Sequence, residues 1–552
     1  MPARTSRQHL HILTCLLLST ATAARADGLP VGPPPGEAQS RPAVTPDGRG
    51  GATVSFKTTT LKVGSVHVDA NGSADGRFTI APATLPFVIE PNELLRVLAP
   101  SDSQLIFAAD SAPLSGPAIT CLRSGGSATA GFPVALPTPL RRPAMVPGLG
   151  GRTLLVAKDA DATSFWTLRA AIIGAGGQLE FSLQLSSPIQ FFMADALDAC
   201  SDGAGGLLAA IPYYDPASTG SKDIAVWKLA ADGSRPWGEI ARPMVTASND
   251  QTDVHVVPDE LGGMIMVWTD PRAVSRSLDV FALRVDKNGA RAGGWPFYGR
   301  PVCDANGAQS QPRITRDGLG GVWIVWLDRR AELVGDLRYS HLLGDGELAP
   351  GFTTDGSILC DAAGAQGEAA VAGDGAGGFF AVWRDDRASA GDLYVQHVLA
   401  TGAVAGSWEP NGRVLSAAAG VQDQPAIAAV QGGRAVLAWR DARSGSARIY
   451  AAGIEDASTT GVGTARSSTL RLSAAVAPGG HARVRVTLPA GEPGVLELID
   501  VAGRALARAT VTGPLSDHEV SFGAPPALRP GLYFVRLRQE RAGAIARLTV
   551  LR

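Results

Sequence analysis

Along most of this chain, apolar residues fall in runs of four to eight, each cut by Gly, Asp or Asn. Some runs alternate apolar and polar positions, as strands with one covered face do. Others, such as Val322-Trp-Ile-Val-Trp326, are apolar throughout, as strands covered on both faces are. No window of useful length places apolar residues at helical spacing. The pattern predicts an all-β protein.

The runs recur as one unit. Trp268-x-Asp270-x-Arg272 returns as Trp326-x-Asp328-x-Arg330, Trp383-x-Asp385-x-Arg387 and Trp439-x-Asp441-x-Arg443, at steps of 58, 57 and 56 residues. A diglycine precedes each Trp: Gly262-Gly263, Gly320-Gly321, Gly377-Gly378 and Gly432-Gly433. An Asp usually stands just before it (Asp259, Asp317, Asp374). A Gln stands further upstream (Gln251, Gln309, Gln366, Gln422). After the Arg come a polar loop, a second apolar run, a Gly turn, an aromatic (Trp237, Trp295, Phe352 or Trp408) and a short closing segment such as Arg300-Pro-Val-Cys303. Each unit therefore reads as four short strands. A tandem array of four-stranded units is the sequence form of a β-propeller, in which each sheet covers the faces of its neighbours.

Weaker copies begin at Asp202-Gly-Ala-Gly-Gly206, at Gly150-Gly151 and at Asp47-Gly-Arg-Gly-Gly51, and a degenerate copy spans Ser101 to Ala109. That gives eight blades over residues 39–456, with seven as the alternative because the second copy is poor. The last copy lacks a clear fourth strand, so ring closure either borrows a strand from the Pro/Gly-rich segment 27–38 or leaves that segment as a lead-in. Residues 457–468 read as a Ser/Thr/Gly linker. From 469 to 552 six new runs (Val484 to Leu488, Val495 to Ile499, Ala505 to Val511, His518 to Phe522, Leu532 to Leu537, Ile545 to Leu551) predict a separate small β-sandwich.

Composition changes the picture little. A formal charge of −2 and the lack of a basic stripe argue against nucleic acid as a partner. Residues 1–26 read as a signal peptide: Arg4 and Arg7, an apolar stretch from Leu10 to Leu18, then Ala21-Thr22-Ala23 or Ala24-Arg25-Ala26 as cleavage site. The stretch is too short to span a bilayer. A lipoprotein reading through Cys15 fits less well, because Thr14 stands where a small residue is expected. The chain is expected to be secreted or at a bacterial cell surface, with no transmembrane segment in the mature form. Export permits disulfides among Cys121, Cys200, Cys303 and Cys360, but Cys303 and Cys360 sit at equivalent repeat positions, which favours buried thiols over a bridge.

The C-terminal run Leu496-Glu-Leu-Ile-Asp500-Val-Ala-Gly503-Arg504, then Leu528-Arg-Pro-Gly531-Leu-Tyr533-Phe-Val-Arg536 and Ala546-Arg-Leu-Thr-Val-Leu551, resembles the sorting domain of type IX secretion cargo and the related immunoglobulin-like domain of flagellar hook-capping proteins. The resemblance implies an immunoglobulin-like sandwich for secretion or surface attachment, with the secretion machinery as partner. The Asp-Gly-x-Gly-Gly and Trp-x-Asp-x-Arg units resemble those of exported bacterial propeller-like proteins. That resemblance implies an architecture and no assigned chemistry.

Candidate chemistry is sparse. No nucleophile elbow, Walker loop or HExxH occurs, the eight histidines are scattered, and no catalytic residue stands out. Identical recurrence makes the Trp, Asp and Arg of the signature a repeated scaffold, with Arg272, Arg330, Arg387 and Arg443 bonding a repeated turn. Trp237, Trp295 and Trp408 follow Gly-rich turns and are the better candidates for a surface aromatic site. Asp69, Asn71 and Asp75 are spaced like calcium ligands and also read as an ordinary turn. The expected function is a non-enzymatic extracellular binding scaffold for an unknown protein or glycan. The alternative is a polysaccharide-acting hydrolase or lyase with its site in the propeller funnel. Specific chemistry is expected where the copies fail, in the four N-terminal units. Non-repeated Asp, Glu, His or Tyr converging at the funnel would favour the enzyme.

Overall fold

The computed structural model describes residues 28–31, 37–85, 96–101, 104–108, 119–134, 136, 140–160, 166–185, 197–214, 221–272, 277–330, 334–388, 391–455, 471–476, 482–488, 494–500, 505–511, 515–521, 531–539 and 542–550. The signal-like residues 1–26 and the linker 457–468 lie outside them. The chain divides into two compact units, Met1–Ser458 and Thr459–Arg552.

The first unit is a β-propeller. Its sheets follow chain order. Sheet 1 opens with Gln39–Pro46, sheet 2 with Arg96–Ser101, sheet 3 with Leu140–Pro147 and sheet 4 with Asp198–Ser201. Sheets 5 to 8 open with Thr252–Pro258, Gln309–Arg316, Gln366–Gly373 and Gln422–Val430. Each opening strand lies beside the opening strand of the next sheet, and that of sheet 8 returns to that of sheet 1. These strands line a central channel. Within a sheet the strands meander outward; in sheet 6 they are Gln309–Arg316, Val322–Asp328, Asp336–Leu342 and Ser357–Cys360. Sheet 2, the poor copy, has three strands among the described residues.

The second strands are apolar because neighbouring sheets cover both faces. All seven residues of Val322–Asp328 are buried, as are all seven of Met264–Asp270. Sheet 8 takes its outermost strand from the other end of the chain. Leu29–Pro30 pairs with Ala451 and Tyr450, and the Val31 N–H bonds the Ile449 carbonyl at 2.8 Å. At least this part of segment 27–38 is a closing strand rather than a lead-in. The same ring contact then repeats at the junction. Gly299, Gly356 and Gly412 press against the indoles of Trp268, Trp326 and Trp383, and Gly28 presses against Trp439.

The second unit holds two antiparallel sheets. One comprises Arg471–Val476, Ala482–Leu488 and Leu515–Ser521; the other comprises Ala505–Val511, Gly494–Asp500, Gly531–Gln539 and Ala542–Val550. Val484 and Val486 from the first share one core with Leu496, Leu498, Val535 and Leu537 from the second, which makes a sandwich. Its first strand, Arg471–Val476, was not among the six runs read from sequence. Glu497 is buried on the other face of its strand and bonded by Arg508 and Arg536. Those two guanidinium groups hold its carboxyl below the usual range.

Candidate functional site: a charged sector of the central channel

The repeated signature forms a rigid clip. Asp328 is fully buried; its Oδ2 accepts the Trp326 indole N–H at 3.0 Å and its Oδ1 accepts the Arg330 backbone N–H at 3.0 Å. The Arg330 side chain donates to both oxygens, at 2.9 and 2.7 Å, then crosses to Cys303 Sγ of sheet 5 at 3.0 Å. Arg387 repeats this with Asp385 and Cys360, and Arg443 with Asp441 and the Ser416 hydroxyl of sheet 7. Trp268, Asp270 and Arg272 form the same indole–carboxylate–guanidinium group in sheet 5. Burial alone would raise the Asp328 and Asp385 carboxyls. Their Arg and Trp hydrogen bonds outweigh it and hold both below the usual range. Cys121, Cys200, Cys303 and Cys360 are buried free thiols, and burial pushes Cys303 up to about 11 and Cys360 to about 12.

A second clip lies at the diglycine turn. Asp317 Oδ1 accepts the N–H groups of Leu319 and Gly321, while its Oδ2 stands 2.9 Å from His341 Nε2. The same role falls to Asp47 with His67, Asp202 with Lys228, Asp259 with Arg284 and Asp374 with His397. Three of the histidines that look scattered in sequence thus occupy one repeated position, opposite the sixth residue after the Asp. Where the Asp is missing the base is missing too: sheet 3 has Gly148 and Ile172, sheet 8 a shorter turn and Ile454.

One expectation changes. Trp237, Trp295 and Trp408 are not surface aromatics but are buried to 1, 4 and 5 % exposure. Trp237 packs under the Gly289 turn of sheet 5 and Trp295 under the Gly346 turn of sheet 6, because the hairpin of one sheet reaches over its predecessor. The turn at Asp69 is self-contained: Asp69 accepts the Asn71 and Ser73 N–H groups, while Asp75 is bonded to His67 and Arg77. Each carboxylate of the proposed calcium set therefore has its own partners.

The channel is where the copies differ. In six opening strands one non-glycine residue takes the left-handed conformation: Arg41, Arg142, Asp253, Gln311, Glu368 and Gln424. The pairing to the second strand skips there, as at a β-bulge. Each such residue costs about 1 kcal/mol, and a bulge re-aims the residues that follow it. Adjacent bulges are tied together: Glu368 accepts the Gln424 N–H at 2.7 Å, and Gln424 accepts the Arg41 N–H at 2.8 Å.

Register places one residue of the opening strand at a common level in seven sheets, opposite the residue that precedes the signature Trp or its equivalent. Sheets 1, 3, 7 and 8 put alanine there: Ala43, Ala144, Ala370 and Ala426. Sheets 4, 5 and 6 put Asp198, His255 and Arg313. Three adjacent sheets therefore set an acid, an imidazole and a guanidinium side by side where sheets 1, 3, 7 and 8 carry alanine. They line a cavity of about 340 Å³ whose other walls include Val44, Ile314, Ala370 and Ile427. Arg96 of sheet 2 lines the adjoining space beside Asp198.

His255 is the hub. Its Nδ1 lies 3.5 Å from Asp198 Oδ2, which also accepts the Val256 N–H at 3.1 Å. Its Nε2 lies 3.2 Å from Asp253 Oδ1 and 3.0 Å from Arg313 Nη1. Burial disfavours the imidazolium, but the Asp198 and Asp253 carboxylates outweigh burial and raise the His255 pKa. Burial would raise Asp198 and Asp253, and the His255 contact outweighs it, lowering both. The arrangement can bind a polar or anionic group and can hold or release a proton at Nε2. Among the described residues no group of three or more His, Cys, Asp or Glu is placed to hold a metal ion.

The sequence expectation put specific chemistry in the four N-terminal units, but two of these three residues come from the strong copies 5 and 6. The signal was present: His255 and Arg313 stand four residues after Gln251 and Gln309, where Ala370 and Ala426 follow Gln366 and Gln422. It is invisible until the copies are aligned along the opening strand.

No family model and no curated protein matches the chain. Among solved structures it is similar to a lectin from Burkholderia pseudomallei, at 14 % identity and TM-score 0.42, over 67 % of this chain and 98 % of that one. It is similar to a protein of unknown function from Dyadobacter fermentans, at 10 % and 0.36, over 78 % and 98 %. It is also similar to an α-L-arabinanase from Penicillium chrysogenum complexed with arabinobiose, at 11 % and 0.32, over 57 % and 92 %. At these identities none of their activities passes to this chain.

Proposed function

We propose that the protein is an exported, non-enzymatic binding module that takes a segment of an extracellular glycan in the charged sector of its propeller channel. The observation that carries this is the replacement of the ring alanine by Asp198, His255 and Arg313 in three adjacent sheets. A scaffold repeats its residues, whereas a ligand site breaks the repeat. The cavity has the size of a small-ligand site, and its polar groups sit among small apolar walls, as such sites require. Hydroxyl-rich ligands suit an array of donors and acceptors fixed on strands.

The test is a glycan array with the chain lacking residues 1–26, against the Asp198→Ala/His255→Ala/Arg313→Ala variant. Alanine is what sheets 1, 3, 7 and 8 carry at this level, so the variant keeps the fold. Binding that vanishes in the variant supports the reading; binding that survives unchanged overturns it.

A second reading, a polysaccharide-acting hydrolase or lyase, is favoured by one feature: a raised-pKa imidazole held between two carboxylates in a cleft. New reducing ends released from a bound polysaccharide, and lost in His255→Ala, would establish it.

The C-terminal sandwich is proposed to serve secretion or surface attachment. Truncation after Ser468 is expected to abolish surface retention; unchanged secretion and retention would remove that role. No helix among the described residues is long and apolar enough to cross a membrane.

A further inference from the structure

We infer that the channel site takes an anionic ligand group, a carboxylate or a sulfate ester, and that protonation of His255 loads it. The inference rests on the binding reading above and names the ligand class.

His255 Nε2 is offered two incompatible partners. Arg313 Nη1, at 3.0 Å, has only N–H groups to donate, so Nε2 must accept. Asp253 Oδ1, at 3.2 Å, can only accept, so Nε2 must donate. A neutral imidazole with its proton on Nδ1, toward Asp198, satisfies Arg313 and leaves Asp253 with no imidazole donor and only the longer ion pair to Arg313 at 3.9 Å. An imidazolium satisfies both carboxylates and can no longer accept from Arg313. Protonation therefore frees a guanidinium N–H and puts a second positive charge beside it.

The surrounding charges set the sign. Asp198 reaches His255 from sheet 4, Asp253 from its own strand, Arg313 from sheet 6, and Arg96 of sheet 2 stands near Asp198. Val44 of sheet 1, Ala370 of sheet 7 and Ala426 of sheet 8 face the same cavity and bring no charge. With His255 protonated, each carboxylate has the imidazolium as partner. Arg313 then keeps the Pro312 carbonyl at 2.9 Å and a longer ion pair with Asp253 Oδ1 at 3.9 Å, neither of which fills its fork. The planar fork of a guanidinium matches the two oxygens of a carboxylate or sulfate. An anion arriving there replaces the acceptor that Arg313 loses on protonation. With His255 neutral, Nε2 itself occupies that donor.

The test is titration calorimetry of the chain lacking residues 1–26 with polygalacturonate, dextran sulfate and unmodified dextran, at about pH 5.5 and about pH 8, either side of an ordinary imidazole. At least one anionic polymer is expected to bind about tenfold or more tighter at the lower pH, a shift of 1.4 kcal/mol. Dextran is expected to show no such change. Which anionic polymer responds separates carboxylate from sulfate. Arg313→Ala is expected to lose anion binding at both pH values, and His255→Ala to bind with no pH dependence. A pH effect that persists in His255→Ala, or dextran bound as tightly as the anions, overturns the inference. A neutral glycan lost only in the triple-alanine variant also overturns it but leaves the binding module intact. An array with no channel-dependent glycan at all removes the binding module itself.

Discussion

At the scale of single residues, the repeated buried carboxylates are each held by several partners. Asp328 meets an indole, a backbone amide and a guanidinium. Replacing it by Ala leaves Arg330 with Cys303 and the exposed Asp355, unpairs the Trp326 indole N–H, and is expected to cost about 3 kcal/mol, the scale for breaking a buried pair, read from the denaturant midpoint. His341 serves Asp317 as Lys228 serves Asp202. His341→Lys should therefore cost under about 1 kcal/mol, while His341→Leu, which leaves the carboxylate unpaired, should cost about 3 kcal/mol. Asp279 differs: it is buried with one oxygen unbonded, and burial, then Asp304 and Asp270, raises it to about 6. A carboxyl raised on folding favours the native state at low pH and penalises it as pH climbs through the folded value. Asp279→Asn is therefore expected to raise the melting temperature above pH 6 and to leave it nearly unchanged at about pH 4.

At the scale of elements, the closing strand Leu29–Pro30 gives the array its ring. It shields the edge of Arg448–Glu455 and supplies, through Gly28, the glycine that every strong copy sets against its signature Trp. A Cβ at Gly28 would meet the Trp439 ring at 2.3 Å, and its φ of 61° already disfavours any other residue. Gly28→Val is expected to lower the melting temperature by about 2 °C, as a destabilisation of about 2 kcal/mol would in a domain of this size. The equivalent Gly356→Val should act similarly at an internal junction; an unchanged melting temperature in Gly28→Val would show that closure contributes little. The bulged opening strands illustrate the opposite choice. Six left-handed residues are tolerated because the bulge is coupled to its neighbours, as Glu368 is to Gln424 and Gln424 to Arg41.

At the scale of the whole molecule, the propeller and the sandwich are separate compact units, each with its own core. The chain truncated after Ser458 is expected to fold and to keep the channel's ligand affinity within about twofold, since independent units contribute additively. Loss of binding on truncation would place part of the site in the sandwich. Within the propeller, the proposed ligand contact is confined to one sector of the ring. Moving the charge, for instance Ala370→Asp with Asp198→Ala, should not restore binding, because His255 would then lack its carboxylate on the sheet 4 side.

The sequence by itself determined most of the strands, their grouping in fours, the closing role open to the N-terminal segment, and the recurrence of Trp268, Asp270, Arg272 and their copies. These follow from local pattern and from repetition, which register and turn chemistry convert directly into geometry. It did not determine that Trp237 and Trp295 are covered, because the cover is the hairpin of the next sheet, some fifty residues away. Nor did it expose His67, His341 and His397 as one position, since their common partner lies across a strand pair. The channel site was written in the chain as a break at one column of the repeat. Only ring closure made it a site, by setting Asp198, His255 and Arg313, each 55 or more residues from the next, at one height around a shared space.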